Sequence, residues 1–218
     1  MIDWPGYIGL ILKGAILTLQ LTSAGIALAL VMAFVAGLAR LSPSASVRWL
    51  ATIYIEFFRG TSVFVQLFWA YFVLPLIGVP ISPFQAGVLA LGLNVGAYGA
   101  EVVRGAVQAV PREQHEACTA LNLTRWQSLR HVIVPQAFVV MLPTFGNNAI
   151  ELLKGTAIVS LISLSDMTFQ AQVVRAQTGN TAIPFLTILI LYYLISLVIS
   201  QSTRRLERRL SAGLDVKT

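Results

Sequence analysis

The sequence predicts an all-α, polytopic membrane protein with five transmembrane helices, its N-terminus outside and its C-terminus cytoplasmic. Three observations predict it. Of 218 residues, 56% are hydrophobic and only 11% charged, against about 25% charged in a soluble domain. Uncharged runs recur at lengths that suit a bilayer, whose core needs roughly 20 helical residues. The basic residues fall beside those runs, so the net charge of +6 reads as a topology signal and sets nucleic acid aside as a partner.

The first run, 14–39, holds 26 residues without a charge and is closed by Arg40 and Arg48, with Ser42, Pro43 and Ser44 making a loop. No cleavable signal is expected, since Asp3 and Lys13 give no basic leader and this first apolar run is too long for a signal segment. The next uncharged run covers 60–100, and its 41 residues are too many for one span. Pro75, Pro80 and Pro83 cluster with Gly78 at its middle, which predicts two spans, 52–75 and 84–104, joined by a tight hairpin. A fourth span is expected at 136–163 and a fifth at 183–203, ending in four arginines between 204 and 209. One membrane domain then occupies 1–218.

With the N-terminus outside, eleven basic residues (Arg40, Arg48, Arg104, Arg112, Arg125, Arg130, Arg204, Arg205, Arg208, Arg209 and Lys217) fall on the cytoplasmic side, and two, Lys13 and Arg175, on the outer side. Arg59 and Lys154 lie within or at the edge of spans. The lone cysteine, Cys118, excludes an intrachain disulfide and a cysteine-based metal site. His115 and His131 are too far apart to suggest a metal pair, and no hydrolytic constellation is recognisable.

Residues 111–131 form a polar island that cannot cross a bilayer. Pro111 suits the first turn of a helix. Glu113 and Glu116 follow near the positive end of its dipole. Asn122 falls where that helix should stop, as a residue tolerant of the left-handed conformation. Thr124 and Gln127 have the spacing of a capping box that starts a second helix. The expected product is two short helices bent at Asn122 and Leu123, showing Ala117, Ala120, Leu121, Leu123 and Trp126 as a small apolar surface. On the residues alone, two readings stand level: a helix resting on lipid headgroups, and a surface that docks a protein.

The motifs carry a resemblance. Glu116-Ala117-Cys118, three residues, Asn122, nine residues, then Val132-Ile133-Val134-Pro135 resembles the Glu-Ala-Ala loop of binding-protein-dependent ABC importer permeases. The spacing matches throughout, with Cys118 for alanine, Asn122 for glycine, and Val132 and Val134 for isoleucine and leucine. Glu56-Phe57-Phe58-Arg59-Gly60-Thr61 with Gln66-Leu67 is similar to the Glu-x-x-Arg-Gly-Thr-Pro and Gln-Leu pattern of the polar amino acid permeases, Ser62 standing where that pattern has proline. Leu142-Pro143, Asn147-Asn148 and Leu153-Lys154-Gly155-Thr156 resemble the same subfamily's fourth span.

The resemblance implies a type I ABC importer permease fold, in a bacterial inner membrane, for polar amino acids or related zwitterions such as amino-acid derivatives and compatible solutes. It implies that Glu116, Ala117, Ala120, Asn122, Leu123 and Trp126 couple to a cytoplasmic ATPase. The chain has no phosphate-binding Gly-x-x-x-x-Gly-Lys-Ser/Thr loop, so no cofactor is expected in it, and ATP and magnesium belong to the partner. Expected partners are a second permease, the same or homologous, two ATP-binding subunits, an extracytoplasmic solute-binding protein and membrane lipid. A self-powered secondary transporter or channel, with no ATPase partner, is the alternative.

Ionisable groups within spans mark candidate sites. Glu56 and Arg59, three apart, can pair with each other, or Arg59 and Thr61 can face a pathway and receive a substrate carboxylate. Asn147, Asn148, Glu151 and Lys154 recur at helical spacing as one polar stripe, extended by Thr156 and Ser160. That stripe lines a water-filled path or locks against Gln66 or Asn94. The candidate pathway set is therefore Arg59, Thr61, Gln66, Asn147, Asn148, Glu151, Lys154 and Ser160. Arg59 or Lys154 with Glu151 supplies two poles for a zwitterion, and Trp69, Tyr71 or Phe72 supplies an aromatic face for its cation.

Overall fold

The computed structural model describes residues 4–211; Asp3 and Lys217, which entered the charge reading, lie outside them. Among the described residues every regular element is helical. The helices are α1 (Trp4–Ala39), α2 (Ala45–Gly60), α3 (Val63–Phe68), α4 (Pro83–Ala109), α5 (Arg112–Ala120), α6 (Arg125–Ser128), α7 (Val134–Gly155), α8 (Met167–Thr178) and α9 (Ala182–Ser211). Four stretches are long and apolar enough to cross a membrane: α1, α4, the stretch Arg125–Ile162, and α9. A fifth forms if the bent pair Ala45–Gly60 and Val63–Ile77 is one span.

That pair occupies the stretch expected as a span over 52–75, in two helices rather than one. Thr61 and Ser62 are both extended, and the chain turns by 103° between the two halves. The carbonyls left open are met by side chains. The Gln66 amide donates to the carbonyl of Phe58 at 3.0 Å and to the Thr61 hydroxyl at 2.7 Å, and Asn94 of α4 donates to the same Phe58 carbonyl at 2.7 Å. Backbone breaks at membrane depth need such internal partners.

Two π turns, Trp69–Val73 and Leu129–Ile133, stand at one spacing ahead of Pro75 and Pro135. A proline ring clashes with the carbonyl four residues back. Widening the preceding turn relieves that clash. The predicted hairpin closes on Gly78 at φ 86°. Ser82 and Gln85 then form a reciprocal capping box, with Pro83 as the first residue of α4.

The principal contact is α1 along α4, which their small residues permit. A Cβ at Gly37 would lie 2.7 Å from both the Ala100 carbonyl oxygen and the Val103 Cβ, and one at Gly99 would lie 2.7 Å from the Ala33 Cβ. Gly105, on the same helix as Gly99, has open space around it. Gly37→Ala is therefore expected to lower the yield of monodisperse protein on gel filtration, at an overpacking cost of about 1–3 kcal/mol. Gly105→Ala should leave that yield unchanged. Equal profiles for the two variants would refute the close approach.

At the other end of α1, the Met167 backbone N–H donates to the Thr18 hydroxyl at 3.2 Å. The Tyr192 hydroxyl lies 3.3 Å from those of both Thr156 and Thr168. These contacts join α1, α8, α9 and the 3-10 segment Thr156–Ile162, which follows α7 within the stretch expected as a span over 136–163.

Candidate functional site

Two features gather the candidate residues: a polar hairpin and a groove. The hairpin is α5 and α6. Pro111 stands just outside α5 as its N-cap, not within its first turn. At the far end Asn122 has φ 53°. Its N–H donates to the Thr119 carbonyl at 2.9 Å, and the Leu123 N–H donates to the Cys118 carbonyl at 3.0 Å. This is the two-bond pattern of a Schellman C-cap, with Asn122 as the left-handed residue. The next helix starts on a capping box: the Gln127 N–H donates to the Thr124 hydroxyl at 3.3 Å and the Thr124 N–H to the Gln127 side chain at 2.9 Å.

The bend leaves Glu116, Ala117 and Ala120 exposed, with Leu121 73% and Trp126 64% exposed. Leu123 is half-buried and Cys118 is buried. Gln136 of α7 donates to Gln114 of α5 at 3.1 Å, tying the hairpin to the following helix. A cleft of about 440 Å³ separates the hairpin from the α1–α2 loop, between Pro43, His115 and Trp126.

The groove, about 540 Å³, is enclosed by the break after α2, the middle of α4 and the middle of α7. Thr61, Ser62 and Val63 form one wall; Asn94, Val95 and Tyr98 form the second; Asn147, Asn148 and Glu151 form the third. Glu151 is its single acidic lining residue. Hydroxyls, amides, one carboxylate and one aromatic ring thus converge on a space that fits a small polar solute.

Of the expected pathway set, Thr61, Asn147, Asn148 and Glu151 line this groove. Lys154 is exposed on the last turn of α7 but is not part of the lining. Arg59, Gln66 and Ser160 also lie outside that lining. Gln66 is buried and its amide is consumed at the break, also accepting from Asn94 at 3.3 Å. Ser160 is buried in the 3-10 segment, donating to the Ala157 carbonyl at 2.8 Å, because α8 covers that face. The lock expected between the stripe and Gln66 or Asn94 is instead made by Gln66 and Asn94 with each other.

Arg59 and Glu56 form no ion pair among the described residues; the Arg59 guanidinium lies 5.2 Å from the centroid of the Tyr98 ring. Trp69, Tyr71 and Phe72, considered as an aromatic face for the solute's cation, lie outside the groove's lining. Asn94 and Tyr98 were legible as a second polar stripe, since Asn94, Tyr98 and Glu101 recur at helical spacing. Glu101 closes that stripe, bonded by Arg104 at 2.7 Å and approached by Arg40 of α1 at 3.7 Å.

Comparison with known proteins agrees with this architecture. Residues 25–212 match the family described as binding-protein-dependent transport system inner membrane component. A probable amino-acid ABC transporter permease of Sinorhizobium fredii is 45% identical, over 94% of this chain and 89% of its own length. The glutamine transport system permease of Escherichia coli is 38% identical, over 95% of both chains. The L-cystine transport system permease of Bacillus subtilis is 34% identical, over 95% of this chain and 87% of its own. Among solved structures, a chain of an amino acid ABC transporter with histidines superposes with a TM-score of 0.86 at 36% identity, covering 96% of this chain and 99% of that one. The chain therefore belongs to the binding-protein-dependent transport system inner membrane components, as a permease subunit of the amino-acid ABC importer type.

Proposed function

We propose that this chain forms half of the translocation pathway of an ATP-driven importer for polar amino acids or related zwitterionic solutes in a bacterial inner membrane. A second permease, identical or homologous, supplies the other half. Two cytoplasmic ATP-binding subunits drive the hairpin, and an extracytoplasmic solute-binding protein delivers the solute. The observation that carries this reading is the continuity of one element. The helical stretch Arg125–Ile162 runs 38 residues, beginning inside the exposed hairpin and carrying Asn147 and Glu151 into the groove. At 1.5 Å per residue, Trp126 and Glu151 are separated by roughly 38 Å along it. A force applied to the hairpin therefore acts directly on a wall of the groove.

The test is purification in mild detergent after co-expression with the accompanying ATPase, then reconstitution into vesicles. An ATPase should co-purify, uptake should require ATP inside the hydrolysing compartment, and Glu116→Lys should lose both. Solute flux driven by an ion gradient alone, with no ATPase retained, would favour the secondary-transporter alternative and end this reading.

A further inference from the structure

We propose that Tyr98 holds Arg59 in a releasable cation–π tie, and that an incoming solute's carboxylate takes Arg59 from the ring. The inference rests on the transport reading above and names a positioning residue within it. The end of α2 is joined to α4 by three side-chain ties. In the first, the Tyr54 hydroxyl donates to the Leu93 carbonyl at 2.7 Å. In the second, Asn94 donates to the Phe58 carbonyl at 2.7 Å. Both are direct hydrogen bonds to part-buried backbone carbonyls, and the Phe58 carbonyl also accepts from Gln66 at 3.0 Å. The third is the guanidinium of Arg59 over the Tyr98 ring. It differs in kind: both residues are exposed, no backbone group depends on it, and Arg59 has no ion pair among the described residues.

Tyr98 also lines the groove, on a different helix from Glu151. A solute whose ammonium approaches Glu151 therefore brings its carboxylate into the space that borders the ring. A carboxylate offers Arg59 two charge-assisted hydrogen bonds, a stronger interaction than the face of one phenol ring. Exchange of partners removes one of three ties between the broken helix and α4, at the point where the chain already bends. Solute binding and loosening of the α2 end are then one event. The tie acts as a tax on binding: the resting state favours the ring, and only a solute with the right anion displaces it.

The experiment compares Tyr98→Phe with Tyr98→Leu and Tyr98→Met in the complete complex, reconstituted with its ATPase and binding protein. Radiolabelled L-glutamine, L-histidine and L-cystine serve as probes. Phenylalanine keeps the ring face and should shift both readouts less than either aliphatic variant. Both aliphatic variants should raise solute-independent ATP hydrolysis about three- to tenfold and lower the half-saturating solute concentration by a similar factor. Two aliphatic side chains are used so that a folding defect in one leaves the other to decide, with gel filtration as the check. Aliphatic variants that match wild type in both readouts would overturn the tie. So would a phenylalanine variant that behaves like leucine, because the hydroxyl rather than the ring would then be responsible. Wild-type vesicles that take up none of the probes overturn the transport reading, and the tie with it.

Discussion

Asn122→Pro abolishes ATP-dependent uptake, while Asn122→Gly keeps it within about twofold of wild type, because glycine is the residue this backbone position favours. Residue 122 sits at φ 53° and its N–H bonds to the Thr119 carbonyl. Proline fails both demands, its φ being fixed near −65° and its N–H absent. Asn122→Val keeps the N–H but meets a Cβ clash in the left-handed region, costing roughly 1–2 kcal/mol, and its uptake should fall about 5- to 30-fold on that scale. The defect should appear as loss of the co-purifying ATPase, with the permease itself still monodisperse, since Asn122 is exposed and Leu121 and Trp126 project from the bend. A proline variant that retains ATPase and uptake would show that the bend has no part in coupling.

The same residue shows what the sequence makes legible. Local backbone chemistry reads well one residue at a time: the left-handed stop at Asn122, the capping box of Thr124 and Gln127, the proline-rich hairpin around Gly78. Each is set by neighbours within four positions. The polar stripe of α7 is legible for a related reason, since charge and amide groups at helical spacing inside an apolar run need somewhere wet to face.

What is not legible depends on partners distant in sequence. The break at Thr61 and Ser62 is held open by Gln66 and by Asn94, the latter 36 residues from the Phe58 carbonyl it bonds. A run of apolar residues gives no sign of it. The one available hint is that the family pattern has proline where Ser62 stands, and the residue before a proline is forced extended. The burial of Ser160 is not legible because periodicity specifies a face and not its cover, which α8 supplies. The contact of Arg59 with Tyr98 is not legible because Glu56 is three residues away in sequence, whereas Tyr98 lies on another helix.

Glu151→Gln raises the half-saturating solute concentration about 10- to 100-fold, the loss expected when a hydrogen bond to a charged group worth roughly 1.5–3 kcal/mol is removed. ATPase co-purification should be untouched, because Glu151 lies in the groove and not in the hairpin. The groove's remaining polar lining consists of hydroxyls and amides, which accept or donate to either pole of a zwitterion, so a preference for a solute with a cation is expected to rest on Glu151. Shortening the acid, as Glu151→Asp, should restore part of the affinity, and Glu151→Lys should lose more than the glutamine variant by placing like charge against the ammonium. Chemistry of the solute can be read from the same series. A net-positive amino acid should lose more than a neutral one, and a dicarboxylic one should lose less. Uniform losses across all three would mean that Glu151 supports the position of α7 rather than the solute. Unchanged uptake with all three would assign selection to the extracytoplasmic binding protein and leave this groove as a passage without preference.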